Sequence, residues 1–299
     1  MARVLVTGIG GFTGGYMASA LKARGHAVIG AGRAAHAAAA GLLDECHELD
    51  LEDLGSTRAF VAELRPDRVI HLAGIAFVAH DDPAAIYQAN LIGTRNLLQA
   101  IADLDHVVDR VLLASSANVY GNVREGVLDE DCPPLPANDY AVSKLAMEHL
   151  ARIFMPQVPS IIARPFNYTG VGQSPSFLIP KLIGHARGGE RKIELGNLDV
   201  ARDFSDVRTV ADCYARLLDC PEAIGGTFNV CSGIPRSLRE VVGLIEDISG
   251  TRFEISVNPA LVRQTEVRSL AGSRARLEAM IGPVQMPPLE DTIRWMLAA

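Results

Sequence analysis

The stretch Val4-Leu5-Val6-Thr7-Gly8-Ile9-Gly10-Gly11-Phe12-Thr13-Gly14 decides how this chain is read. An apolar run ends in a glycine-rich turn. A helical pattern, Tyr16–Arg24, opens directly after it and stops at Gly25. Strand, tight turn and helix in immediate succession form the unit that holds a dinucleotide. Gly8 permits the sharp turn, Gly11 leaves the backbone bare for a diphosphate, and Gly14 lets helix and strand pack closely. Phe12 and Thr13 stand at the helix N-terminus, where unpaired N–H groups and the dipole favour an anion. Glycines alone would be weak support, since such turns often serve packing only. The flanking strand and helix give the pattern its meaning.

The same alternation continues outward. Ala27–Gly30, Arg68–Leu72, Arg110–Ser115 and Ser160–Ala163 read as strands. Thr57–Arg65, Pro83–Ile101 and Tyr140–Phe154 read as helices. Strands with continuous apolar runs that alternate with helices predict a parallel sheet covered on both faces. Right-handed crossovers then make it doubly wound, a Rossmann fold. The alanine-rich Ala34–Leu43 reads as a surface helix or loop. After Arg164 the pattern changes to loops such as Pro165–Pro175, helices Ser237–Ile248 and Leu289–Leu297, and a strand-like Thr251–Val257. The length of 299 residues also exceeds the usual ~100–200 of one domain. We therefore expect a dinucleotide-binding domain at 1–165 plus about 205–232. A smaller, discontinuous α/β substrate lobe is expected at about 166–204 and 233–299.

Composition excludes several classes. Hydrophobic residues make up 48% and charged residues 21%, which suits a soluble globular protein. A net charge of −7 argues against nucleic acid as a partner, so an anionic small molecule would need locally placed arginines. Cys46, Cys132, Cys213, Cys220 and Cys231 are scattered, with no metal-ligand spacing, so no metal and no disulfide framework are expected. The chain starts on a strand without a leader, and no apolar run approaches ~20 residues, so a cytoplasmic location and no membrane are expected.

The second strand leads into Gly30-Ala31-Gly32-Arg33. A dinucleotide site usually places an acid near here for the ribose hydroxyls. None follows in sequence, and Arg33 suits a 2′-phosphate instead, so NADP is the expected cofactor. Asp50, with Leu51 beside it, is a candidate for the adenine amino group or for capping the next helix.

Tyr140-Ala141-Val142-Ser143-Lys144 puts a phenol and an ammonium on one helical face. A free tyrosine titrates near pH 10. A lysine charge about 4 Å away, at an effective dielectric of about 20, is worth roughly 4 kcal/mol. That predicts a phenol pKa lowered by about three, into the range useful for acid–base work. Ser116 follows the strand Val111–Ala114 at the carboxyl end of a parallel sheet, where active-site residues gather.

Taken in order, Gly8-x-x-Gly11-x-x-Gly14, His71-Leu72-Ala73-Gly74, Asn90-x-x-Gly93-Thr94, the Ser116 loop, Tyr140/Lys144 and Arg164-Pro165-Phe166-Asn167 resemble the extended short-chain dehydrogenase/reductase family of nucleotide-sugar enzymes. The resemblance covers nearly the whole chain. It implies a Ser116–Tyr140–Lys144 triad, with Tyr140 and Lys144 also touching the cofactor. It further implies cofactor contacts at Leu72, Ala73, Gly74 and Pro165, and a C-terminal substrate lobe. A homodimer is implied through a four-helix interface near Asn90–Ala102 and Tyr140–Phe154.

Three segments are similar to the branch that handles GDP-mannose derivatives: Arg164–Phe177, Leu195–Phe204 and Arg263–Glu266. Arg202 and Arg263 suit a diphosphate by bidentate bonds. Glu266 suits ribose hydroxyls, and Asn167 a phosphate. Phe177 and Lys181 complete the candidate substrate set. Dehydratases of that branch carry a glutamate where this chain has Asn118, and an amide cannot move that proton. Simple reduction of a GDP-linked 4-keto sugar by NADPH is therefore the expected reaction. Its rivals are a nucleotide-sugar 4-epimerase, a GDP-mannose 4,6-dehydratase and a non-catalytic redox sensor.

Overall fold

The computed structural model describes residues 1–33, 41–76, 81–122, 126–258 and 268–299. Its main sheet is built from β1 (Arg3–Thr7), β2 (Ala27–Gly32), β3 (Glu45–Glu48), β4 (Arg68–His71), β5 (Arg110–Ala114), β7 (Ser160–Pro165) and β11 (Thr227–Val230). The spatial order is β11-β7-β5-β4-β1-β2-β3, and every pairing is parallel. The order reverses between β1 and β4, the switch point at which such sheets open a crevice at their carboxyl edge.

Helices cover both faces. On one side α1 (Gly14–Ala23), α7 (Val207–Asp219) and α9 (Ala275–Ile281) bury Met17, Leu21, Val210, Leu217 and Leu277 against Val4, Val6 and Phe228. On the other, α2 (Leu54–Leu64), α4 (Gly93–Ala102) and α5 (Asp139–Phe154) bury Val61, Leu97, Leu98 and Met147 against Leu5, Val69 and Leu113. Adjacent β1 residues thus serve opposite cores, as strand alternation requires. Local chemistry sets the helix ends. Asp53 caps α2 through the Ser56 N–H, and Asn138 caps α5 through the Ala141 N–H.

The remaining elements form a second group. A smaller sheet runs β12 (Pro235–Ser237), β10 (Ala201–Asp206), β14 (Ser269–Gly272) and β6 (Gly126–Leu128), with β8 (Asn167–Thr169) paired to the distal half of β10. A third core packs α6 (Leu178–Gly188), α8 (Leu238–Ser249) and α10 (Leu289–Ala298) with the parallel pair β9 (Lys192–Leu195) and β13 (Glu254–Val257). Among the described residues no helix is long and apolar enough to cross a membrane.

Two expectations change. The continuous helix over Pro83–Ile101 is instead α3 (Pro83–Tyr87), a π-turn at Gln88–Ile92, and α4. Asn90 causes the difference: its side chain bonds the Ile75 backbone and the Ser143 hydroxyl instead of pointing along a regular helix. Glu45-Cys46-His47-Glu48 is an edge strand, half-exposed and polar enough to carry no strand signal of its own. Most of Ala34–Leu43 lies outside the described residues.

Candidate active site

Three adjoining clefts run along the carboxyl edge of the main sheet. The first lies between Gly8, Gly11, Arg33, Asp50, Leu51, Glu52, Leu72 and Ala73. The second, about 270 Å³, shares Gly8, Gly11, Leu72 and Gly74 with it and adds Phe12, Thr13, Ser116, Asn118, Tyr140, Lys144 and Pro165. The third shares Asn167, Tyr168, Gln173 and Phe177 with the second and continues to Asn197, Arg202, Phe204 and Leu238. The shared walls make one trough, which passes from the β2 end over the sheet centre into the third core.

The glycine turn fits a dinucleotide on its own geometry. Gly8 has φ +72°, and a Cβ there would lie 2.5 Å from Ala73 N. At Gly14 a Cβ would fall on the Ile9 carbonyl. Packing therefore demands both glycines. At Gly11 a Cβ would meet only Gly8 O, at 3.2 Å, and would otherwise project into the trough. Bare backbone at Gly11 is what a closely approaching diphosphate needs. The first N–H groups of α1, like those of any helix, have no intrahelical acceptor.

A buried polar chain fixes the strands beneath this turn. Thr94 Oγ1 donates to Asn90 O, so it must accept from His71 Nε2, at 2.8 Å. His71 Nδ1 then accepts from Thr7 Oγ1, at 2.7 Å. Burial drives the His71 pKa down to about 3, with the Lys144 charge adding to the fall. The imidazole is therefore neutral at any ordinary pH and ties β1, β4 and α4 together.

Ser116, Asn118 and Tyr140 form a directed set of hydrogen bonds. Ser116 Oγ accepts from the Asn118 N–H and from Asn118 Nδ2, both at 3.1 Å. Both lone pairs are used, so the Ser116 proton points to the Tyr140 oxygen, with which it is hydrogen-bonded. The Tyr140 proton is left to point into the trough. Asn118 thus does more than fail to be an acid: its amide sets the polarity of the chain.

The phenol pKa differs from the expectation. Burial pushes Tyr140 up to about 12, and the Ser116 hydrogen bond only partly offsets this. Lys144 does not lower it. The Lys144 ammonium donates to the Ala114 carbonyl at 2.9 Å, and burial pulls its own pKa down to about 8, opposed by Glu148. A buried lysine disfavours its own charge before it can help a neighbour.

Behind this set lies a buried ion pair. Arg164 Nε and Nη2 grip Glu148 at 2.8 and 2.6 Å, Ser115 Oγ donates to the same carboxylate at 2.6 Å, and Arg164 Nη1 reaches Tyr120 OH at 3.0 Å. Glu148 sits on α5, one turn after Lys144, so the pair fixes α5 against β7.

Other expected residues fall unevenly. Thr13 Oγ1 bonds Tyr168 OH at 2.9 Å, and Phe12 stacks on Tyr168. Asp50 lines the first cleft and caps a turn at Glu52 N–H, while Asp53 caps the helix. Asn167 Nδ2 already donates to the Asp203 carbonyl, tying β8 to β10, and this competes with the expected phosphate contact. Lys181 is absent from the residues that line these clefts, because its ammonium donates to the Glu194 carbonyl. Arg263 and Glu266 lie outside the described residues. The local sequence shows no acid near Arg33, yet Glu52 Oε1 lies 3.5 Å from Arg33 Nη2. Residues 19 apart in sequence meet because β3 runs parallel beside β2. Glu148 also belongs to the site without having been expected there, and Tyr168, Gln173 and Asn90, expected only as parts of the quoted motifs, join it. Tyr168, Glu148 and Asn90 act through partners from distant elements, which leaves no local signal, while Gln173 bonds its neighbours Thr169 and Tyr168.

The model of the NAD dependent epimerase/dehydratase family matches residues 4–231, and the chain belongs to that family. It is 39% identical, over 99% of its length and 96% of the relative's, to a GDP-6-deoxy-D-mannose reductase of Pseudomonas aeruginosa. It is 35% identical, over 78% and 79%, to a GDP-6-deoxy-D-talose 4-dehydrogenase of Aggregatibacter actinomycetemcomitans. Among solved structures, RMD from P. aeruginosa complexed with NADPH superposes with a TM-score of 0.86 at 36% identity, covering 100% of this chain and 98% of that one. A Burkholderia cenocepacia J2315 structure, assigned no further than the epimerase class, gives a TM-score of 0.92 at 48% identity, covering 99% and 97%.

Proposed function

We propose that this protein reduces the 4-keto group of GDP-4-dehydro-6-deoxy-D-mannose with NADPH, giving GDP-D-rhamnose. The observation that carries the reading is the Asn118–Ser116–Tyr140 hydrogen-bond direction, which leaves a phenol proton facing the trough. The similarity to the GDP-6-deoxy-D-mannose reductase supports the choice of sugar.

When bound, the reduced nicotinamide supplies hydride. Tyr140 donates to the keto oxygen, Ser116 donates to the Tyr140 oxygen behind it, and Tyr140 gives its proton to the oxyanion that forms. A proton donor needs no lowered pKa when its acceptor is an alkoxide. A phenol held near 12 stays fully protonated at neutral pH and is ready to donate. Lys144 spends one of three N–H donors on Ala114 and keeps two for ribose hydroxyls of the cofactor. Gly8, Gly11, Phe12, Thr13 and Gly14 cradle the diphosphate, with Leu72, Ala73, Gly74 and Pro165 as walls. Asp50 and Leu51 lie at the adenine end, and Arg33 faces a 2′-phosphate. The lobe built on α6, α8 and α10, with Phe177 and Arg202, orients the GDP half, which raises the rate by positioning.

The GDP-6-deoxy-D-talose relative favours a second reading: the same reduction with hydride delivered to the opposite face. One experiment separates them. The protein is incubated with NADPH and the 4-keto product of a GDP-mannose dehydratase, and the sugar is identified by NMR. A rhamno product supports the proposal, and a talo product supports the second reading. No NADPH oxidation, with dehydration of GDP-mannose itself, defeats both. The Tyr140→Phe variant is expected to lose turnover by about 10²–10⁴-fold while still binding cofactor.

We also propose a homodimer. Val142, Ala146, His149 and Ile153 form a stripe at spacings of four, three and four along α5, with Val142 39% and Ile153 69% exposed. Paired α4 and α5 helices from two copies would cover it.

A further inference from the structure

We propose that Glu52, by holding Arg33, sets how strongly the trough discriminates between a dinucleotide with a 2′-phosphate and one with a free ribose diol. The inference rests on the dinucleotide reading above and concerns the end of the trough beyond the catalytic residues.

Arg33 leaves the end of β2 with its side chain 65% exposed, and Glu52 lies against it at 32%. Glu52 is not a loose surface acid. Its N–H donates to Asp50 Oδ1 at 3.0 Å. Its carbonyl and that of Leu51 accept from Asn96 Nδ2, at 3.1 and 2.8 Å, and Asn96 is buried in α4. The backbone that carries the carboxylate is therefore pinned at three points, and the guanidinium on its long stem is the partner that comes to it.

Charge then decides what this end accepts. Arg33 is the one cation among the described residues that line the first cleft, against the two carboxylates Asp50 and Glu52. A 2′-phosphate must draw Arg33 away from Glu52 and then lie beside that carboxylate. A free diol meets no such repulsion, and carboxylates accept from its hydroxyls. An exposed pair of this kind holds its partner by a factor of roughly 1.5–5. A carboxylate about 5 Å from a dianion in screened water adds a repulsion of comparable size. The preference for NADPH that Arg33 confers is thus held down by Glu52, and the wild type is expected to bind both dinucleotides.

The test titrates NADPH and NADH, by nicotinamide fluorescence, into the wild type, Glu52→Gln, Arg33→Ala and the double variant. Glu52→Gln is expected to tighten NADPH by roughly tenfold and to leave NADH within about twofold. In the Arg33→Ala background the same change is expected to tighten NADPH by less than about threefold, because no guanidinium remains to be released. An unchanged NADPH-to-NADH ratio in Glu52→Gln overturns the inference. So does an equal gain with and without Arg33, which would reduce Glu52 to simple repulsion. Failure of the wild type to bind either dinucleotide overturns the dinucleotide reading itself, and this inference with it.

Discussion

At the scale of single residues, the site depends on which way protons point. Asn118→Asp removes the amide donor and puts a carboxylate acceptor beside Ser116, so the serine proton turns from Tyr140 to the new carboxylate. We expect NADPH-dependent reduction to fall by about 10²-fold or more with little change in NADPH affinity, as steady-state kinetics and direct binding would show. Unchanged turnover would mean that Ser116 does not need Asn118 to aim it. Lys144 offers a pH test. Its folded pKa of about 8 lies below the unfolded value of 10.5, so between these two the folded state binds fewer protons than the unfolded one. Stability attributable to this residue therefore rises with pH across that window, and the full burial penalty is present below pH 8. Lys144→Met has no such penalty. Its stability advantage over the wild type, measured by denaturant unfolding, is expected to be larger at pH 7.5 than at pH 10. A pH-independent difference would show that the ammonium is not desolvated.

At the scale of elements, α5 carries Tyr140 and Lys144, and β7 holds it in place through Glu148 and Arg164, whose side chains are 0% and 3% exposed. Removing one partner of such a pair strands a buried charge. Glu148→Ala is expected to cost about 3–5 kcal/mol, while the double change Glu148→Leu with Arg164→Met costs less than the single one. Denaturant midpoints of the three proteins would decide it, and a double variant worse than Glu148→Ala would count against the stranded-charge account. Elements with apolar runs or periodic apolar residues, such as β1, β5 and α8, declare themselves: the two strands are buried between two cores, and α8 buries one face against the third. The π-turn at Gln88–Ile92 does not, since only the distant Ile75 and Ser143 draw Asn90 out of helical register.

At the scale of the whole molecule, the trough joins two cores of different origin, and the α5 stripe leaves apolar surface uncovered. Ile153→Asp is expected to convert the protein from dimer to monomer in light scattering after size exclusion, since a charge buried in an apolar interface is strongly disfavoured. A wild type that is already monomeric at micromolar concentration would sink the dimer proposal.

The sequence by itself determined the parallel sheet, the glycine turn and the presence of Ser116, Tyr140 and Lys144. Each of these is written in local pattern: apolar runs, φ-permissive glycines and a four-residue helical spacing. Only the tertiary structure decided what those groups experience. Burial raised the Tyr140 pKa where a pairwise charge argument had lowered it. Parallel pairing brought Glu52 to Arg33, and α5 packing on β7 brought Glu148 to Arg164. Solvent exclusion and contacts between distant segments are properties of the packed chain, and no window of neighbouring residues encodes them.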